Sequence, residues 1–392
     1  MTQLSLPAYF MRGGTSKALM LLASDLPAER EQWAPIFMAA MGTPDPYGRQ
    51  LDGMGGGVSS LSKVCIISPS KQPGIDVDYT FAQVAVKEQR VDYRGNCGNM
   101  SSAVGPFAVH KGLVQAGDGQ TTVRILNTNT NKVIESTFET RAGVPVYAGD
   151  LSIPGVSGTG SPIELRFVDP GGASTGKLLP TGAVTDELEV KGFGPLTVSM
   201  VDAANAAVFV RARDIGLKGT ELPDELEADK QVLTLLENIR RAASVAMGIS
   251  KNLEEAAEIR IVPFVCIISS AQDNPTLQGE LIPAKDLDLT ARVISNGQPH
   301  RALPLTISLC IAVASKIEGT VPHQKVKKNQ KTTVPETIHL GNPSGVLAVR
   351  ASVSHDAVQG WQARYGAFYR TARLLFDGRV WVPETAIDTV HL

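Results

Sequence analysis

The chain has 392 residues, 43% of them hydrophobic and only 5% aromatic, with a formal net charge of −2. That is enough apolar chain for two globular domains with sizeable cores, and the near-neutral balance excludes a general nucleic-acid binder. No apolar run reaches membrane-spanning length and the N-terminus lacks the pattern of a signal peptide, so a soluble, cytoplasmic protein with no membrane partner is expected.

Leu6–Phe10 reads as a strand, and the segment Met11-Arg12-Gly13-Gly14-Thr15-Ser16-Lys17 as a polar, flexible hairpin tip before a second strand. Pro27–Met41 is expected to be helical, with Trp33, Ile36, Phe37 and Met41 on one face. A glycine-rich loop, Gln50 to Gly57, leads through Ser59, Ser60 and Ser62 to Lys63 and the strand Val64–Ile67. Strands follow at Ile75–Val86 and Arg90–Tyr93. Asp92 to Leu113 then turns at Gly95 and puts Cys97 at the mouth of a helix of small and apolar residues, Met100, Ala103, Val104, Phe107 and Ala108. A thiol there faces free N–H groups and the positive end of the helix dipole, which favour the thiolate. The same N–H groups can receive a carboxylate or phosphate.

Thr121–Asn127 and Lys132–Glu139 alternate as a hairpin around Asn127-Thr128-Asn129-Thr130. Residues 140–185 are rich in Gly, Pro and Ser, with one strand at Ile163–Phe167. The second half offers strands Leu196–Asp202 and Ala206–Arg211, a long helix within Pro223–Met247, the apolar strand Ile259–Ser269, and Asp286–Ser295 before His300 and Arg301. A helix of small apolar residues, Leu305–Ile317, and strands at Glu336–Leu340, Val346–Val353 and within Phe368–Trp381 complete the chain. Lys325 to Lys331 reads as a solvated basic loop. The two halves rhyme, each with strands, an outer helix and a central helix that starts at a polar turn.

The four cysteines show neither CxxC nor a secreted framework. Cys65, Cys266 and Cys310 lie in apolar runs and read as buried small hydrophobes, whereas Cys97 lies among glycines and polar residues. Gly171 to Leu178 (GGASTGKL) nearly fits a phosphate loop. Leu178 offers no hydroxyl for magnesium, however, and Pro180 breaks the helix that should follow, so an NTPase is rejected. Gly53 to Val58 lacks GxGxxG, which disfavours a dinucleotide site. The six histidines form no HExxH and no helical pair, leaving metal catalysis without support. Lys63, at the entry to an apolar strand, points either to solvent or into a cleft, where desolvation favours the neutral amine a general base needs.

The combination MRGGTSK, DGMGGGVSSLSK and VDYRGNCGN with AVGPFA behind it resembles the PrpF or 2-methylaconitate isomerase family, which includes methylitaconate delta-isomerases and 4-oxalomesaconate tautomerases. The resemblance continues through Asn127-Thr128-Asn129-Thr130, Lys177 to Gly182, Asn342 to Gly345 and Arg370 to Arg373. It implies an α+β, diaminopimelate epimerase-like fold of two pseudo-symmetric domains. Each would be a β-barrel-like sheet around a central helix, with the active site in the cleft between them. The domain boundaries expected are 1–184 with a C-terminal strand at 376–392, and 185–375.

The implied reaction is an allylic proton shift in an unsaturated di- or tricarboxylate, without cofactor and without metal. Lys63 would be the principal base and Cys97 the opposing acid or base, with the roles open to exchange. Substrate-binding candidates are Thr15, Ser16, Ser59, Ser60, Ser62, Asn96, Gly98, Asn99, His300 and Arg301. The resemblance leaves open the substrate, the product isomer, the pathway and whether the chain forms a homo-oligomer. Where relatives have a glycine and threonine at the start of the second central helix, this chain reads His300-Arg301-Ala302-Leu303-Pro304-Leu305-Thr306, and Pro304 and Leu305 would reshape the carboxylate pocket there. The alternatives are an epimerase with two opposed cysteines, which Cys310, five residues into its helix, argues against, and a carboxylate-binding relative without turnover.

Overall fold

The computed structural model describes residues 3–93, 97–326 and 336–384. They form two compact units, residues 1–166 with 369–392, and residues 167–368.

The first unit is a curled mixed sheet with one helix inside and one outside. Strand β1 (Gln3–Gly13) pairs antiparallel with β2 (Ser16–Leu22) and, on its other edge, with Ala372–Pro383. β2 runs parallel to β3 (Lys63–Pro69), β3 antiparallel to β4 (Val77–Val84), and β4 parallel to Gly119–Asn127, which forms a hairpin with Lys132–Arg141. Helix α1 (Trp33–Met41) covers the outer face, where Ile36, Phe37 and Met41 pack against Leu19, Leu21, Val64, Ile66, Ala82 and Val84. Helix α2 (Gly98–His110) fills the inner face, and 11 of its 13 residues are buried. Both faces of β3 are therefore covered, and its first five residues, Lys63 included, are buried. Small residues are obligatory in α2: a Cβ on Gly105 would stand 2.6 Å from Ser136 Oγ and 2.8 Å from Phe138 Cε1.

The second unit repeats this order of pairings. Gly194–Ala203 and Asn205–Arg211 form a hairpin; Asn205–Arg211 runs parallel to Phe264–Ser270; that strand pairs antiparallel with Leu289–Ser295; Leu289–Ser295 runs parallel to Thr337–Asn342; and Thr337–Asn342 pairs antiparallel with Gly345–Asp356. The outer helix, Lys230–Ala246, again lies between the second and third strands of the series. The inner helix, Leu305–Ala314, again lies between the fourth and fifth, with nine of its ten residues buried. The internal repeat suggested by the sequence is thus carried by topology.

Several expectations change in detail. The outer helix of the first unit starts at Trp33, after a 3-10 turn at Arg30–Gln32, because Pro35 tolerates only the first helical turn. The long helix expected within Pro223–Met247 is Lys230–Ala246, and a short helix, Pro223–Ala228, precedes it. Asp229 separates them, its carboxylate accepting from the N–H groups of Gln231 and Val232 as an N-cap. Phe264–Ser270 starts later than expected, after Pro263. The strand Asp186–Val190 and the helices Leu253–Glu258 and Val321–Lys325 had no expectation. Lys325 ends that last helix, and the rest of the expected basic loop, beyond Val326, lies outside the described residues. Among the described residues, no helix is long and apolar enough to cross a membrane.

Candidate active site

The segment expected to be a flexible tip is instead packed down. Met11 and Ser16 are buried, and the two-residue turn at Gly14 and Thr15 closes onto the start of α2. Gly14 has φ +51°, and a Cβ there would stand 2.2 Å from Asn99 Oδ1, so both the backbone angle and the close approach demand glycine. Asn99 Nδ2 donates to Thr15 Oγ1 at 3.1 Å, and the Thr15 N–H donates back to Asn99 Oδ1 at 3.4 Å. Arg12 locks the turn from the side, its Nη1 donating to Gly14 O at 2.9 Å and to Thr371 O and Oγ1 at 3.0 Å.

Cys97 is the N-cap residue of α2, extended at φ −104°, and its side chain makes no capping hydrogen bond. Its own carbonyl accepts from Ser101 N and Oγ, which fixes the first turn. The approach to Cys97 is anchored at Asn129. That amide donates to Tyr93 O at 2.6 Å and Phe81 O at 2.8 Å, and accepts from Phe81 N at 2.7 Å. Asn127 holds Asn129 in turn, donating to its Oδ1 at 3.2 Å. Replacing Asn129 with alanine strands these backbone groups and is expected to destabilise the protein by about 2–3 kcal/mol. The check is the urea midpoint at constant m-value; an unchanged midpoint would show that Asn129 anchors nothing.

Lys63 opens β3 opposite Gln83 of β4. Only 7% of it is exposed, its Nζ lies 4.9 Å from the Phe81 ring centroid, and it donates to Gln83 Oε1. Side chains alternate along a strand, so Lys63 shares the inner face with Cys65, while Val64 and Ile66 face α1. Burial pushes the Cys65 thiol far up. Tyr79, 3.7 Å from the Cys65 sulfur, is likewise pushed up by burial. Lys63 thus opens the face of β3 that α2, headed by Cys97, covers, and that face also carries two groups that burial keeps protonated.

The remaining candidates divide. Thr15, Gly98 and Asn99 stand with Cys97 at the head of α2. Ser16 is buried, Ser60 is half-buried, and Ser59 is exposed and contributes its carbonyl to Gln83. Ser62 is fully buried: its hydroxyl accepts from Gln50 Nε2 at 2.8 Å, and its carbonyl accepts from Gln83. It shapes the loop before Lys63. Asn96 lies outside the described residues.

His300 and Arg301 belong to the second unit. His300 shares a 2.7 Å hydrogen bond with Ser295 Oγ, stacks on Phe264, and is held toward its neutral form by burial. Arg301 pairs with Asp224 at 2.7 Å on the surface. The near-phosphate loop also has its own partner, since Asp202 Oδ2 accepts from Ser174 N at 2.7 Å and Thr175 N at 2.6 Å. A carboxylate thus occupies the amides that a phosphate would need.

Sequence reasoning missed Gln50, Gln83 and Asn129. Gln50 joins the glycine-rich loop to Ser62, accepting from Gly57 N and donating to Thr43 Oγ1 and Ser62 Oγ. Gln83 becomes visible only once β3 and β4 are placed in register.

The sequence profile of the PrpF protein family matches residues 3–383. The chain belongs to the PrpF family. It is 38% identical to the 3-methylitaconate isomerase of Eubacterium barkeri, over 98% of this chain and 99% of that one. It is 37% identical to the 2-methyl-aconitate isomerase of Cupriavidus necator, over 98% of each. The crystal structure of a methylitaconate-delta-isomerase superposes with a TM-score of 0.91 at 37% identity, covering 99% of this chain and 98% of that one. A hydroxyproline epimerase from Agrobacterium vitis shares the fold alone, with a TM-score of 0.50 at 11% identity over 98% and 94% of the two chains. The α+β, diaminopimelate epimerase-like architecture and an isomerase activity of the PrpF type follow.

Proposed function

We propose that this PrpF-family isomerase moves or rotates a carbon–carbon double bond in an unsaturated di- or tricarboxylate by allylic proton transfer. The observation that carries the reading is Lys63, a buried amine at the start of β3, in the unit whose inner helix α2 is headed by Cys97. Lys63 removes a proton from an allylic carbon α to a carboxylate. The electron pair delocalises as a dienolate, and Cys97 delivers a proton to the far end or to the other face. Both groups are then restored by proton exchange, so no redox partner enters the balance. The N–H groups at the head of α2, with Thr15 and Asn99, are placed to receive a substrate carboxylate and to stabilise charge that develops on it.

Two relatives at almost equal identity carry names of different substrates, so overall similarity does not select among them. A two-thiol epimerase is disfavoured by Cys310. It is fully buried within its helix, donates to Val201 O at 3.5 Å, and is pushed far up by burial.

The test is proton NMR in D₂O with trans-aconitate, 2-methylaconitate, methylitaconate and 4-oxalomesaconate. The expected result is deuterium at an allylic carbon together with a moved or rotated double bond in at least one acid. Binding of these acids without exchange or isomerisation would replace the reading by a non-catalytic carboxylate binder.

A further inference from the structure

We infer that Gln83 is the positioning residue of Lys63, an uncharged acceptor fixed so that the amine keeps its direction without being locked as an ammonium by a carboxylate. The inference rests on the base role proposed for Lys63. Gln83 stands directly across the strand pair from Lys63 and accepts from its Nζ through Oε1. The other end of the amide is held by three backbone carbonyls: Nε2 donates to Ser62 O at 2.9 Å, Ser59 O at 3.0 Å and Val84 O at 3.3 Å. Carbonyls only accept, so a turned amide would set its oxygen against three oxygens. The orientation is therefore dictated by the serine turn ahead of β3, and Oε1 is committed to the amine.

The chemistry explains why the partner is an amide. A neutral amine donating one N–H to Oε1 has its lone pair turned elsewhere, in a direction set by that bond. The ammonium formed after proton abstraction keeps the same bond. A carboxylate in this place would favour the charged form and withhold the lone pair. The titratable groups on this face are Cys65 on β3, Tyr79 on β4, Cys97 at the head of α2 and Asp92, which stands directly across from Gln83 on the other edge of β4, while β2 sets Met20 beside Cys65. Among the described residues, no carboxylate pairs with Lys63.

The test uses full-length protein with lysine labelled at Cε with carbon-13, the Lys63 resonance being assigned by its absence in Lys63→Met. In Gln83→Glu the titration midpoint of that resonance is expected to rise by about one pH unit or more. The acidic limb of kcat/KM should rise with it, so that turnover lost at neutral pH returns in alkali. In Gln83→Met, where the acceptor is removed without adding charge, the midpoint should fall. kcat should drop about tenfold or more, with KM nearly unchanged, because the amine has lost its direction. A merely structural glutamine would not move the midpoint in opposite directions in the two variants. Should Gln83→Glu fail to fold, Gln83→Met carries the test. A wild-type midpoint and wild-type kcat in the folded variants overturn the inference. Lys63→Met in parallel separates the two readings: if it retains turnover, the base assignment fails, and if it is inactive beside unaffected Gln83 variants, only the role of Gln83 fails.

Discussion

Lys63→Met is expected to lower kcat by about a thousandfold or more while leaving the protein folded. General base catalysis by a positioned side chain contributes roughly a hundred- to ten-thousandfold, and among the described residues Lys63 is the amine that Gln83 Oε1 receives. Tyr79 and Cys65 are both driven toward their protonated forms by burial, so neither can take over as base near neutral pH. Methionine follows the length of the lysine stem, and its thioether can lie against the Phe81 ring that Nζ faces in the native protein. The main folding cost is the unmet oxygen of Gln83, about 1–3 kcal/mol. The measurement is deuterium incorporation by NMR beside the urea midpoint of the same sample. Turnover within tenfold of wild type in a folded sample would remove Lys63 from the mechanism.

The internal repeat sharpens this expectation. Strand β3 begins Lys63-Val64-Cys65-Ile66-Ile67-Ser68, and its counterpart in the second unit begins Phe264-Val265-Cys266-Ile267-Ile268-Ser269. The pairings agree: Leu19 stands beside Val64 as Val208 stands beside Val265. Phe264 therefore occupies the place of Lys63. Val265 pairs with Ile294, which sets Phe264 at the level of Ser295 and its partner His300, where the first unit has Gln83. An aromatic ring with a half-buried imidazole, held toward its neutral form and stacked on it, has replaced an amine and its acceptor. The two units share a framework, but the basic chemistry is built into one copy of it.

This also shows how much was legible in the sequence. The strand and helix succession, the placement of Cys97 at the head of α2 and the inertness of the other three cysteines follow from local pattern, and the structure keeps them. Three kinds of feature were not legible. Helix boundaries hinged on single residues whose alternatives compete, as at Asp229, which caps one helix by ending another. The exposure of a segment depended on distant chain: MRGGTSK looks solvated, yet its glycines exist to let Asn99 approach. A supporting side chain such as Gln83 carries no local signal, because its importance lies in register, and Asn129, though visible as part of a hairpin turn, shows its anchoring role only through distant backbone groups. The partners of His300 and Arg301, Ser295 and Asp224, likewise carry no mark in the sequence.

Cys97→Ala is expected to separate the two halves of the proton transfer. If Lys63 abstracts and Cys97 delivers, removing the thiol leaves abstraction largely intact. The variant should then wash an allylic deuterium out of labelled substrate into water while its isomerisation falls about a hundredfold or more. Lys63→Met should lose both. Washout that survives in Lys63→Met and disappears in Cys97→Ala would exchange the assignments; isomerisation unchanged in Cys97→Ala would remove the thiol from the mechanism. Accessibility gives an independent readout. The chain has four free cysteines, of which Cys65, Cys266 and Cys310 are buried and only Cys97 is partly open. Iodoacetamide should therefore label one thiol in the native protein and all four after unfolding, and native labelling should abolish isomerisation at the same rate as it proceeds. Alkylation adds an uncharged amide group where a substrate carboxylate is proposed to meet the head of α2, so substrate should slow the labelling. A native protein that loses no activity on stoichiometric alkylation would place the reaction elsewhere than at Cys97.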